Sequence, residues 1–162
     1  ELLDGIQRSL PVELAEDVIA REHPITGEVA FIKKSFPGAK IVPLILKPGV
    51  TVESAVGLGN SIYRLVGDQK VLVLASVDFS HYKDSVTAQA DDLASIAAIE
   101  SGDPARVYGA ALDSPASVTA VMSFAKLAGA SFEIKENSNS AILSDLTDLK
   151  ETTSYVTGYF IQ

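Results

Sequence analysis

The sequence predicts an α/β fold, a three-layer α/β/α sandwich with a mixed, largely parallel sheet. The first observation is an alternation between continuous apolar runs, typical of buried strands, and apolar residues at helical spacing. The second is the order strand, helix, strand over Lys40–Leu46, Val52–Val66 and Lys70–Ser76, which indicates a βαβ unit with parallel strands. The third is a globular composition, with 47% hydrophobic and 21% charged residues among 162. A chain of this size forms one core, so we expect a single domain over residues 1–162.

The individual elements follow from local signals along the chain. A helix is predicted over 24–36, and the Pro37-Gly38 turn leads from it into the first strand, where Pro43 removes one backbone donor. The next helix, over 52–66, has apolar residues at helical spacing, and the second strand is the continuous apolar run KVLVLAS. Further helices are predicted over 85–100, 105–112 and 114–128, and further strands over 131–136 and 153–161.

Glycine and asparagine mark three short stretches that need separate interpretation. Residues 137–140 (NSNS) are expected to form a loop after the strand that precedes them. Gly158 is a candidate bulge within the last strand. Gly57 and Gly59 fall inside a helical pattern rather than between a strand and a helix, so the sequence does not predict a phosphate-binding loop there.

Charge and composition exclude several classes of protein. Thirteen Lys and Arg against 21 Asp and Glu give a net charge of −8, which argues against a nucleic-acid partner. Cysteine is absent, so disulfides, thiolate metal sites and cysteine nucleophiles are excluded. No apolar run reaches the roughly 18 residues of a membrane span. We expect a cytoplasmic location, and the start Glu1-Leu2-Leu3-Asp4 suggests a fragment with residues missing upstream.

Polar residues converge on one edge of the predicted sheet. In parallel α/β folds, ligands bind outside the carboxyl ends of the strands, where the connecting helices also begin. Asp78 and His81 follow the second strand, His23 stands at the start of the helix that feeds the first strand, and Asp113 precedes the helix over 114–128. Both histidines of the chain therefore fall at this edge.

These four residues support either a metal site or acid–base chemistry. Imidazole and carboxylate groups are the ligands of zinc and non-haem iron, and two histidines with one carboxylate form the facial site of Fe(II) oxygenases. Without a metal, the same groups serve as general acid and base. Each residue also has a structural interpretation: Asp113 as a helix cap, His23 as a surface residue at a helix start, His81 as a hydrogen-bonded loop residue and Asp78 as a turn cap.

The sequence resembles the Memo-like family, also called AmmeMemoRadiSam system protein B, in three ordered motifs. Residues 22–25 (EHPI), with 36–43 (FPGAKIVP), are similar to the family's EHSIE and FP.AKIVP segment. Residues 75–82 (ASVDFSHY) are similar to its SSDFSHY motif, and residues 154–159 (SYVTGY) to its closing SVVGYA strand. The resemblance covers nearly the whole chain, but only about the C-terminal three-fifths of a complete member.

This resemblance implies an α/β/α sandwich related to class III extradiol dioxygenases and a bacterial, metal-binding protein. It implies His23 as a ligand, with Asp78 and His81 lining the same pocket. A further family histidine, in a PHAGY-like motif, has no counterpart in this sequence. Asp113 stands where the family has a cysteine, and a carboxylate is a harder ligand than a thiolate, so preference shifts from copper(I) towards iron, manganese or zinc.

Three hypotheses about function remain open at this stage. The first is a metal-binding and possibly catalytic protein, with His23, His81 and Asp113 as ligands of Fe, Zn or Cu and with Asp78 as a further ligand or as a group that orients His81. Asp78 and His81 are the candidate catalytic residues. The second is a non-catalytic binding domain for a small molecule, an anionic ligand or a peptide. The third is pairing with another subunit, or with a second copy of the chain, at an open sheet edge.

Overall fold

The computed structural model describes residues 2–146 and 149–162 and contains eight helices and three strands in that part of the chain. None of these helices is long and apolar enough to cross a membrane. The elements in chain order are α1 Leu2–Ser9, α2 Glu16–Ile19, α3 His23–Ser35, α4 Val52–Val66, β1 His81–Lys83, α5 Ser85–Glu100, α6 Pro104–Tyr108, α7 Pro115–Leu127, β2 Ser131–Asn139, α8 Ser140–Leu143 and β3 Thr152–Ile161.

The three strands form a sheet in the order β1-β3-β2, with both pairs antiparallel. The α/β class agrees with the prediction, whereas the parallel part of the predicted sheet is not seen in the described residues. The segments Lys40–Leu46 and Lys70–Ser76 are neither helix nor strand. Within the described chain, no backbone hydrogen bond joins either segment to a neighbour. A strand exists only when a partner accepts and donates along its edge, which explains why an apolar run alone does not form one here.

The helices over 52–66 and 85–100 have the predicted bounds because their N-termini are capped by their own sequence. The side chain of Thr51 accepts from the backbone amide of Ser54, and the carboxylate of Asp84 accepts from the amides of Val86 and Thr87. The helix predicted over 105–112 is shorter, at Pro104–Tyr108. One reason is that the amide of Ala111 donates to the Ser95 hydroxyl at 3.1 Å instead of to a helical carbonyl.

Strand β2 is longer than predicted and includes most of the expected loop over 137–140. Its pairing with β3 continues to Asn139, opposite Ser154, and the Asn139 side chain then caps α8. The prediction of a loop was wrong, because polar side chains at the end of a sheet do not prevent the backbones of β2 and β3 from pairing. The register shifts between Ile134 and Glu136, so the irregularity faces Gly158 from the partner strand.

The core lies between the sheet and helices α5, α6 and α7. Seven buried residues form it: Phe79, Ile96, Ala98, Ile99, Val107, Val118 and Met122. Phe132 and Phe160 pack against this cluster from β2 and β3. Phe79 connects this core to the candidate site, because it lies in the chain between Asp78 and His81 and anchors their segment.

Candidate metal centre

Two segments that are far apart in sequence are joined by hydrogen bonds at the candidate site. The backbone amide of Asp113 donates to the carbonyl oxygen of Asp78 at 3.1 Å. In return, the amide of Asp78 donates to the carboxylate Oδ1 of Asp113 at 3.1 Å. The carboxylate of Asp113 therefore does not cap the following helix, whose N-cap is Ser114. Asp113 is exposed, so its carboxylate is accessible to an ion from solvent.

The imidazole of His81 lies between a carboxylate and a hydroxyl. Its Nε2 is 3.4 Å from Oδ2 of Asp78, and its Nδ1 is 3.3 Å from the Oγ1 of Thr153. Thr153 reaches this position because His81 and Thr153 are paired between β1 and β3. The side chains of His81 and Asp78 are 28% and 47% exposed, so an ion or a small molecule has access to both.

In the segment Asp78–His81, two buried residues stand between two partly exposed ones. Phe79 and Ser80 are 6% and 1% exposed and fix the backbone from within the protein. Tyr82, directly after His81, has a φ of 55°, which is unusual for a residue with a side chain. Tyr82 is 81% exposed, and the centroid of its ring is 5.5 Å from that of His81. The exposed tyrosine therefore borders the site.

Asp78, His81 and Asp113 form a group whose potential ligand atoms all lie within 4.8 Å of one another. Two ligand atoms on one tetrahedral zinc ion, each bound at about 2.1 Å, lie about 3.4 Å apart. The separation between His81 Nε2 and Asp78 Oδ2 equals that distance. One imidazole and two carboxylates form a hard donor set that fits divalent iron, zinc or manganese. The negative charges of two neighbouring carboxylates repel one another, and a cation bound between them offsets that repulsion.

His23 is not part of this group in the described chain. It is the first residue of α3 and is exposed. The sequence argument placed His23 at the sheet edge through a parallel strand over 40–46, and the structure has no such strand. Its role as a ligand therefore stays a prediction.

Sequence reasoning missed Thr153. The register between β1 and β3 brings its hydroxyl to the imidazole across 72 positions of sequence, and no local pattern around either residue indicates that contact. A ligating histidine is normally oriented by a hydrogen bond from its other ring nitrogen. A search of the closing strand for a hydroxyl or carboxylate that could orient His81 would have suggested Thr153.

Most of this chain is similar to one family of known proteins. A family model described as Memo-like protein matches residues 1–159. A MEMO1 family protein of Thermotoga maritima is 32% identical over 144 residues, which is 86% of this chain and 49% of the relative. A MEMO1 family protein of Caldivirga maquilingensis is 41% identical over 75 residues, covering 44% of this chain and 26% of the relative. The matched part of the chain thus spans half or less of the length of these relatives.

Proposed function

The chain belongs to the Memo-like protein family, and from this premise we propose that it binds one divalent metal ion through His81, Asp78 and Asp113. The observation that carries the proposal is the group of three potential ligand atoms within 4.8 Å. Nε2 of His81 and one oxygen from each carboxylate would be the ligands. Nδ1 of His81 would then carry the ring proton and donate a hydrogen bond to the Thr153 hydroxyl, which would set the orientation of the ring.

The donor set favours iron, zinc or manganese over copper. Copper(I) prefers thiolate or thioether ligands, and the sequence has no cysteine. Three protein ligands leave coordination positions for water or substrate. A metal ion bound there would supply Lewis-acid or redox chemistry, as in hydrolases and non-haem oxygenases.

Asp78 and His81 are the acid–base pair that we propose for the same site when no metal is bound, because a metal on Nε2 would occupy the nitrogen that faces Asp78. Without a metal, Nε2 of His81 and Oδ2 of Asp78 are 3.4 Å apart and can act together on one proton of a substrate. A substrate would approach past the exposed ring of Tyr82.

The three-layer sandwich with a parallel sheet also remains a proposal. The two apolar segments that the sequence predicts as strands contain large apolar residues that are between 36% and 69% exposed: Leu44, Ile45, Leu72 and Leu74. A parallel sheet that included both segments would bury these side chains. The neighbouring strands would come from another part of a longer protein, from a second copy of the chain or from another subunit.

The second candidate function is a non-catalytic binding domain with a diverged site. The position of His23 outside the group favours it, because the site then retains only one histidine. The chemistry of the group opposes an anionic ligand, since two carboxylates repel anions. A cationic or neutral polar ligand fits this alternative better than the anion or peptide suggested by the sequence.

Elemental analysis of the protein purified without a histidine tag tests the metal proposal directly. We compare the unaltered chain with His81→Ala, and use His23→Ala as the matched control because the chain has only two histidines. Each protein is analysed as purified and again after incubation with Fe(II) or Zn(II) followed by removal of excess metal.

The outcomes separate the proposals from one another. Near-stoichiometric metal that disappears in His81→Ala but not in His23→Ala supports the three-residue site. Loss of metal in both variants supports the ligand set predicted from the sequence, in which His23 takes part. If the unaltered chain holds no metal even after incubation, the metal proposal is rejected and the binding-domain alternative is preferred.

A further inference from the structure

Ser80 is held by three hydrogen bonds, although it has no place among the proposed ligands. Its backbone amide donates to Oδ1 of Asp92 at 3.3 Å, and its hydroxyl donates to the carbonyl oxygen of Ala88 at 3.4 Å. Its carbonyl oxygen accepts from the amide of Ser154 at 2.9 Å. Ser80 lies between Asp78 and His81 in the chain, so these bonds determine how both side chains are presented.

Asp92 is the unusual member of this arrangement. It is 1% exposed, on the inner face of α5, and among the described residues its second carboxylate oxygen, Oδ2, has no hydrogen-bond partner. A buried carboxylate with so few hydrogen bonds destabilises a folded protein. The contribution of Asp92 is therefore to the position of the backbone. Within the described residues, its Oδ1 accepts the hydrogen bond of the Ser80 amide.

The position of Asp92 on a long helix makes that acceptor rigid. Ala88 and Asp92 are four residues apart, so they lie on the same face of α5 and contact Ser80 together. The helix is fixed at its start by the Asp84 cap and along its length by Ile96 and Ile99 in the core. The helix thus transmits the rigidity of the core to the segment that carries the site.

We propose that Asp92 is a positioning residue for the site, which acts by holding the Ser80 amide so that Asp78 Oδ2 and His81 Nε2 face each other. Asp92 contacts Ser80 and is not a ligand itself. The property that matters is the acceptor at Oδ1, and the negative charge is not required. The zinc-binding part of the test rests on the proposed function, whereas the backbone part does not.

The experiment compares Asp92→Leu with Asp92→Asn. Leucine has the same branching at Cγ without an acceptor, so the Ser80 amide loses its partner. The lost hydrogen bond and the larger leucine side chain are both expected to lower the unfolding temperature of Asp92→Leu. Asp92→Asn keeps the acceptor. Thr119→Val is the control, because Thr119 is another fully buried residue with an unpartnered oxygen, on α7.

Three measurements are made on each variant: hydrogen exchange of the Ser80 amide, the imidazole resonances of His81, and the dissociation constant for Zn(II). In Asp92→Leu we expect faster exchange at Ser80, displaced His81 resonances and zinc affinity lower by about 10–100-fold. Asp92→Asn and Thr119→Val are expected to resemble the unaltered protein in all three. A purely structural role for Asp92 would lower the stability of Asp92→Leu but would leave the His81 resonances and the zinc affinity of the folded protein unchanged.

Four results would overturn the proposal. The first is Asp92→Leu with unchanged Ser80 exchange and His81 resonances. The second is Asp92→Asn with losses as large as those of Asp92→Leu, since charge would then be the property that matters. The third is an equal loss in Thr119→Val, and the fourth is unchanged zinc affinity in Asp92→Leu while the unaltered protein binds zinc. If Asp92→Leu does not fold, Asp92→Ala replaces it. If the unaltered protein binds no zinc, the proposed function fails, while the exchange and resonance measurements still decide the role of Asp92.

Discussion

The backbone amide of Asp78 donates to the carboxylate of Asp113, while the amide of Asp113 donates to the carbonyl oxygen of Asp78, both at 3.1 Å. This reciprocal pair joins the segment before β1 to the segment before α7. The Asp113 carboxylate also belongs to the group of potential ligands with His81 and Asp78. Its hydrogen bond to the Asp78 amide needs only an acceptor, whereas attraction of a cation needs its negative charge. The two roles of Asp113 can therefore be separated by substitution.

Asp113→Asn is expected to leave the fold intact and to weaken metal binding. The amide oxygen of asparagine still accepts from the Asp78 amide, but the negative charge that attracts a cation is gone. We expect the Zn(II) dissociation constant to rise at least about tenfold, measured by isothermal titration calorimetry. Asp113→Ala also removes the hydrogen bond and should lower the free energy of unfolding by up to about 1 kcal/mol, measured in urea. Unchanged zinc affinity in Asp113→Asn would remove Asp113 from the ligand set.

Two glycines of α4 are expected to respond to alanine in opposite directions. A Cβ at Gly59 would overlap the carbonyl oxygen of Ala120, so Gly59→Ala forces α4 and α7 apart. We expect a loss of about 1–3 kcal/mol in the free energy of unfolding. A Cβ at Gly57 meets nothing within 4 Å, so Gly57→Ala should stabilise the helix by about 0.5–1 kcal/mol. Equal effects of the two substitutions in thermal unfolding would contradict the close packing of α4 on α7.

The acid stability of the protein should depend on the cap of α5. The hydroxyl of Thr87 donates to the carboxylate of Asp84, as do the backbone amides of Thr87 and Val86, and these bonds hold the pKa of Asp84 below its ordinary value of 3.8. A lowered folded-state pKa gives stabilisation that is full above the unfolded value and lost as the pH falls through the folded one.

Asp84→Asn keeps an acceptor for the helix amides but has no carboxylate to titrate. We expect this variant to be less stable than the unaltered protein at neutral pH, with the difference shrinking once the pH falls below the ordinary pKa of 3.8. Unfolding temperatures measured across the acid range follow the difference. A gap that stays constant down to the lowest pH would mean that the charged cap contributes nothing.

Tyr108 makes the corresponding prediction for alkaline pH. Burial, and secondly the charge of Glu53, raise the pKa of Tyr108 above its ordinary value of 10.0, and the neutral phenol donates to the carbonyl oxygen of Val50 at 2.9 Å. A raised pKa gives stabilisation that is present below the unfolded value and lost as the pH rises through the folded one. Tyr108→Phe should therefore lower the free energy of unfolding by about 1 kcal/mol at neutral pH.

The difference between Tyr108→Phe and the unaltered protein is expected to disappear at alkaline pH, where the phenol ionises in the unaltered chain. Denaturation in urea at neutral and alkaline pH measures it. Tyr155→Phe is the control, because Tyr155 is 44% exposed on β3 and should show no difference at either pH. A pH-independent loss in Tyr108→Phe would exclude the ionisation argument.

The sequence predicted the parts of the fold that depend on neighbouring residues. Helices α4 and α5 have the expected bounds because Thr51 and Asp84 cap them locally. The strands of the sheet depend on distant partners, and there the prediction was less complete. Strand β1 has three residues and forms only because β3 pairs with it. The apolar runs over 40–46 and 70–76 show the opposite case, in which strand-forming residues have no pairing partner in the described chain.

The candidate site illustrates the same division. Asp78, His81 and Asp113 were expected to meet through the carboxyl edge of a parallel sheet. They do lie together, but the contact comes from an exchange of hydrogen bonds between two loops and from the antiparallel pairing of β1 with β3. Thr153 and Asp92 could not be predicted, because their contacts with His81 and Ser80 cross the fold.

The exposed apolar segments lead to a last prediction, about association. Leu72 and Leu74 are 69% and 53% exposed in a segment whose backbone has no hydrogen-bond partner in the described chain. Exposed apolar groups beside unpaired backbone groups favour pairing with another chain. We therefore expect the isolated chain to self-associate as its concentration rises, and the double variant Leu72→Glu with Leu74→Glu to associate less.

Sedimentation equilibrium over a wide range of concentration measures the change in mean mass. Val86→Glu is the matched control, because Val86 is 79% exposed but lies on α5, whose backbone is hydrogen-bonded within the helix. If hydrophobic exposure alone caused association, Val86→Glu would reduce it as well. If an unpaired segment is required, only the double variant will reduce it. An unaltered chain that stays strictly monomeric at the highest concentration would show that this face does not recruit a second copy. Another part of a longer protein, or a different chain, would then be the partner to seek.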